Sequence, residues 1–182
     1  MPEHMNHARI CVALVTVCGK ALREILLDKF PVPYIDIYQT ILANQAKLVG
    51  VRGRPLLNKK QINLVFTDPL GQKTGTVDLF DLTLLYTLIR NVSTVQAPIS
   101  GWGIDPAESD TSLGASVERI RSYRNCISGH SPDARITHQD FEDYWKKFED
   151  VLHDIEVVFN TKVYSKELER QKRQVISIFD AC

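Results

Sequence analysis

Six large apolar residues, Phe141, Trp145, Phe148, Leu152, Ile155 and Phe159, recur at alternating steps of four and three. That spacing keeps them on one stripe of an α-helix and off the two faces of a strand, so the segment is a helix with one face turned to other helices. Thr137-His138-Gln139-Asp140 just before it reads as a capping box that starts the helix. No segment shows strand-like alternation, and the chain is expected to be all-α.

The rest of the sequence divides at its helix breakers. Residues from about His7 to Lys29 read as a helix stopped at Phe30-Pro31-Val32-Pro33. Tyr34 to Val49 reads as a second helix, followed by a loop from Gly50 to Pro55. Asn58 caps a short helix running to about Phe66, and Asp68-Pro69-Leu70-Gly71 is a turn. Thr76 is read as the cap of an apolar helix from Asp78 to about Arg90, with Leu79, Leu82, Tyr86 and Ile89 as its stripe. Val92 to about Asp110 is long and irregular, and Trp102 within it is either a packing anchor or part of a lid. A helix from about Ser112 to Ile127 precedes the aromatic one, and a charge-rich, peripheral helix from about Ser165 to Phe179 closes the chain. The expected architecture is a single domain over 1–182, a bundle of four to five core helices with short peripheral ones.

Composition limits the functions open to such a bundle. Lys plus Arg and Asp plus Glu are 22 each, so any nucleic-acid site must be a local patch. The longest dense apolar run, Ile10 to Cys18, is about half a bilayer span, and no membrane segment is expected. Cys11 and Cys18 would lie roughly 10 Å apart along one helix, too far for a disulfide, so the cysteines read as reduced and the protein as cytoplasmic. No Cys/His spacing suggests a metal site, and no cofactor is expected. Gly71-Gln72-Lys73-Thr74-Gly75 lacks the spacing and preceding strand of a phosphate loop and is read as a turn.

One residue breaks its stripe. Leu113, Val117, Ile120, Arg124 and Ile127 step by four, three, four and three, and the fourth is an arginine. Buried charge is unfavourable unless paired, and arginine does not lose its proton, so Arg124 either meets a buried carboxylate or carbonyls or opens onto a cleft or subunit interface. Asn125 is adjacent, and His130 follows the helix end at Gly129. A guanidinium forks two hydrogen bonds onto a phosphate, and an imidazole exchanges protons near neutral pH. With RNA supplying its own 2′-hydroxyl nucleophile, the two suffice in principle for metal-free strand cleavage. Spacing alone favours a structural arginine and a histidine that merely complements the helix dipole. Arg119 and Arg121 make the helix locally basic, and Glu118 reads as a solvated offset on that face.

The string as a whole adds to this. Asp81-Leu82-Thr83-Leu84-Leu85, Leu88-Ile89-Arg90-Asn91, Gly101-Trp102, Pro106, Ser109-Asp110-Thr111-Ser112, Arg119-Ile120-Arg121-Ser122-Tyr123-Arg124-Asn125, Gly129-His130, Phe141 and Trp145 resemble, over roughly residues 35 to 160, the HEPN superfamily. The subtype is the one found in the DAZ-interacting zinc-finger ubiquitin ligase and in invertebrate multidomain proteins. The resemblance implies a helical bundle that dimerises and, in many members, a metal-independent endoribonuclease built on an arginine, a polar residue and a later histidine. By it Arg124 would bind the scissile phosphate, Asn125 would orient the site and His130 would be the acid/base. Arg119, Arg121 and Tyr123 would contact single-stranded RNA, and two copies of the motif would meet across a homodimer interface. The alternative it leaves open is a non-catalytic dimerisation or protein-interaction module of a larger signalling or innate-immune protein.

Overall fold

The structure is a computed structural model that describes residues 3–33, 35–51, 53–66, 76–129 and 135–179, with side chains up to Arg173. Every regular element among the described residues is helical. They are α1 (Glu3–Ala13), a π-helical turn (Leu14–Cys18), α2 (Gly19–Asp28), α3 (Ile37–Ala43), α4 (Gln45–Leu48), α5 (Lys59–Val65), a 3₁₀ turn (Val77–Leu79), α6 (Leu82–Val92), α7 (Leu113–Gly129), α8 (His138–Phe159) and α9 (Val163–Phe179). The chain forms two compact units, one of Met1–Ala21 with Ala97–Cys182 and one of Leu22–Gln96.

In the first unit α8 is the central element. Thr137 Oγ1 accepts the Asp140 amide at 3.1 Å and starts it. Asn160, in the left-handed region at φ 49°, ends it, a conformation asparagine tolerates better than most residues. Phe141, Trp145, Phe148, Leu152 and Ile155 are all buried, as the spacing requires, and Phe159 is half-buried. Burial of each such side chain contributes about 1.5–3 kcal/mol. Against this stripe lie α1, α7, α9 and the π turn. The α7–α8 pair is antiparallel, since Arg119 meets Asp154 while Tyr123 meets Phe148.

The first helix begins at Glu3, earlier than the His7 start expected from periodicity. Asn6 is buried and donates to the Ile136 carbonyl at 3.2 Å, and the Ile136 amide donates to the Glu3 carbonyl at 3.1 Å. These distant partners hold the N-terminal turn. The π turn coincides with Val15-Thr16-Val17, where Thr16 donates to the Val12 carbonyl at 2.7 Å and accepts from Gln171 at 2.8 Å. Helix α9 is less peripheral than its charge suggests, because Tyr164 and Leu168 are fully buried. Cys11, Cys18 and Cys126 are free thiols.

In the second unit the expected helix over 34–49 is two helices. Asp36 caps α3 by accepting the Gln39 amide at 2.9 Å. Asn44 then turns its amide back onto the Thr40 carbonyl at 2.8 Å and breaks the run before α4. Asn58 and Gln61 form a reciprocal capping box at α5. The expected cap at Thr76 starts only the 3₁₀ turn. Asp81 caps α6 through the Leu84 amide at 2.7 Å, so the buried stripe is Leu84, Leu85, Leu88, Ile89 and Val92, and Leu79 is exposed. Arg23 holds the start of this segment by donating to the carbonyls of Val77 and Phe80, each at 3.3 Å. The turn over 68–71 and the Gly71–Gly75 stretch lie outside the described residues. Among the described residues, no helix is long and apolar enough to cross a membrane.

Candidate functional site

Helix α7 carries every candidate residue except His130, and its start is set by a carboxylate. Asp110 is buried and accepts the Ser112 amide at 3.0 Å and the Ile99 amide at 2.9 Å, so it ties the loop before α7 to the helix entry. Its hydrogen bond with Ser112, and then that with Ile99, holds the carboxyl below the usual carboxylate range. A depressed folded value means this stabilisation is complete above the unfolded pKa of about 4 and is lost as pH falls through the folded one. Asp110→Asn is therefore expected to cost about 1–2 kcal/mol at pH 7. The gap to wild type should narrow below about pH 4 in acid titrations of stability.

The loop contains two left-handed glycines, Gly101 at φ 85° and Gly103 at φ 90°, with half-buried Trp102 between them. The Gly103 amide donates to Glu118 Oε2 at 3.0 Å. Glu118 is wholly buried, and its other oxygen accepts from Arg121 Nε in a short ion pair. The solvated face expected for Glu118 is thus a buried latch between α7 and the loop. Arg119, the next residue, also ties α7 to the loop, donating to the carbonyls of Ala107 at 2.7 Å and Glu108 at 3.3 Å and lying 3.6 Å from Asp154. Tyr123 packs its ring 6.0 Å from that of Phe148, and burial pushes its phenol up to about 12, so near neutral pH it stays protonated. Arg119, Arg121 and Tyr123 are therefore engaged within the first unit.

Arg124 differs from all three. Val117 and Ile120 before it and Ile127 after it are buried, while Arg124 and Asn125 are exposed. Arg124 is therefore not the buried, paired arginine that the first alternative required. Arg124 Nη1 donates to Asn125 Oδ1 at 3.1 Å, which leaves most of its five N–H donors to solvent. The pair stands more than one turn before the C-terminal end of α7. His130, the third member of the expected constellation, lies outside the described residues. Sequence reasoning missed Asp110, Glu118 and Asp154 as organising groups. Local signals existed only for Asp110, two residues before Ser112, and for Glu118, three before Arg121, whereas Asp154 meets Arg119 from another helix. Among the described residues, no group of three or more His, Cys, Asp or Glu side chains could hold a metal ion.

The fold and site define the class, an all-helical bundle with an exposed Arg-Asn pair late in a core helix. The family model for DZIP3/hRUL138-like HEPN domains matches residues 36–176, most of the chain, and the chain belongs to that family. It is similar to the E3 ubiquitin-protein ligase DZIP3 of Homo sapiens and to that of Mus musculus, 36% identical over 73 residues in each case. That match covers 40% of this chain and spans only 6% of the length of those two relatives. No solved structure matches the chain.

Proposed function

We propose that the chain is an RNA-binding HEPN domain that cleaves single-stranded RNA without a metal ion. The observation that carries this reading is Arg124, a cation set in an otherwise apolar stripe and left open to an anionic ligand beside Asn125. Arg124 grips the scissile phosphate, and Asn125 fixes the guanidinium plane. His130 takes the proton of the ribose 2′-hydroxyl as O2′ attacks phosphorus, forming a 2′,3′-cyclic phosphate as the bond to the 5′-oxygen breaks. The leaving oxygen must be protonated, and a second copy of the motif across a homodimer interface lets one imidazole act as base and the other as acid. Arg119, Arg121 and Tyr123 support the strand only through the edges that their intramolecular bonds leave over. Incubation with single-stranded RNA in excess chelator tests the reading. Wild type is expected to cleave and His130→Ala to be slower by about 10²-fold or more. Equal inertness of both removes the nuclease proposal.

One observation favours a second reading, a non-catalytic dimerisation or protein-interaction module of a larger signalling or innate-immune protein. Two of the three arginines of α7 are already committed to carboxylates. Such a module leaves RNA intact and still self-associates, which mass measurement in solution detects.

A further inference from the structure

Charges that cancel over the whole chain conceal its most one-sided stretch. Residues 37–67 carry Lys47, Arg52, Arg54, Lys59 and Lys60 and contain no Asp, Glu or His. All of it belongs to the second unit. Lys47, Arg54, Lys59 and Lys60 are exposed, and none forms an ion pair among the described residues. Lys47 Nζ instead donates to the Asn91 carbonyl at 2.9 Å, which steadies the chain without neutralising it. Cations gathered this way repel one another and favour an anionic ligand.

The loop between α4 and α5, which carries Arg54, closes tightly at its base. Gly50 sits at φ 78°, and a Cβ there would lie 2.5 Å from Pro55 N, so the turn closes only on glycine. The amides of Leu56 and Leu57 both donate to the Leu48 carbonyl, at 3.1 and 3.3 Å, and return the chain to the end of α4. Lys47, Gly50, Val51, Arg54, Leu56 and Asn91 line a concave surface of about 610 Å³. Val51 is 71% exposed and Leu56 42%, so apolar groups stand beside the cations. A concave, basic surface with apolar spots suits a strand that offers phosphates and sugar or base faces in alternation. A bilayer would instead call for a protruding apolar surface.

We propose that this face of the second unit binds the sugar–phosphate backbone of a single-stranded nucleic acid, at a place far in sequence from Arg124. The proposal takes RNA as the ligand from the reading above but does not need cleavage. Fluorescence anisotropy of the full chain with a labelled 12-nucleotide oligouridylate and its oligothymidylate counterpart, in chelator over a salt series, tests it. The two lining cations, Lys47 and Arg54, give a slope of log affinity on log salt of about −1.4. Lys47→Glu with Arg54→Glu, the two cations that line the concave surface, is expected to weaken binding by about tenfold or more and to flatten that slope by about 1.4, with the helical circular dichroism signal unchanged. Lys166→Glu, an exposed reversal in the first unit, should stay within about twofold of wild type. Unchanged affinity and slope in the double variant, or no binding by wild type, overturns the proposal. So does a double variant that loses binding only to phosphatidylserine vesicles and not to the oligonucleotides. If RNA binds through Lys47 and Arg54 but is never cut, this site stands and the nuclease reading falls.

Discussion

Replacing Glu118 with alanine is expected to lower the free energy of unfolding by about 3 kcal/mol, as read from a urea titration. The side chain is wholly buried and answers two donors, the Gly103 amide and Arg121 Nε. Its removal takes the acceptor from a backbone N–H in a left-handed turn and an ion-pair partner from the Arg121 guanidinium. Each loss falls in the range of about 1–3 kcal/mol, and the vacated volume adds to them. Arg121 is only a quarter exposed, so solvent makes good little of the loss. Glu118→Gln keeps the shape and a hydrogen bond to Gly103 while removing the charge, and an intermediate cost is expected. A loss below about 0.5 kcal/mol for Glu118→Ala would mean that the latch does not hold the loop.

The parts of the fold that were legible in the sequence are those where one physical pattern dominates. The α8 stripe is regular for six positions, and nothing competes with helix there. The Asn58 cap is legible for the same reason, since Asn and Gln stand at the capping-box interval. Misreadings arise where two local signals compete. Thr76 and Asp81 can both cap a helix, and only tertiary packing, with Phe80 buried and Leu79 exposed, decides for Asp81. The early start at Glu3 depends on Ile136, over a hundred residues away, and no local pattern reports it. Buried acids such as Glu118 are illegible for a related reason, because a charged residue beside arginines reads as surface unless its amide partner is known. The basic segment of the second unit was hidden by counting charge over the whole chain. Arg124 was legible as an anomaly, but its direction was not, because periodicity gives the face of a helix and not what covers it.

Arg124→Ala is expected to reduce RNA cleavage in chelator by about 10²-fold or more, since removal of one group that stabilises developing charge has effects of that size. Because Arg124 is exposed and its one bond is to its neighbour Asn125, the stability change should stay within about 0.5 kcal/mol. Arg124→Lys keeps the charge but not the fork, and partial recovery is expected. Arg121→Ala should invert the pattern, destabilising the fold by removing an ion-pair partner of the buried Glu118 carboxylate. A large loss of stability in Arg124→Ala would reassign the residue to a structural role.

Under the proposed function, the exposed guanidinium of Arg124 and the imidazole of His130 act on a phosphodiester whose own 2′-hydroxyl is the nucleophile. The chemistry of the product ends tests it most directly, with single-stranded RNA digested by the full chain in excess chelator. Ends bearing a 2′,3′-cyclic phosphate and a 5′-hydroxyl, absent when Arg124 or His130 is alanine, are predicted. Intact RNA, or 3′-hydroxyl and 5′-phosphate ends formed only when metal is restored, would contradict the claim.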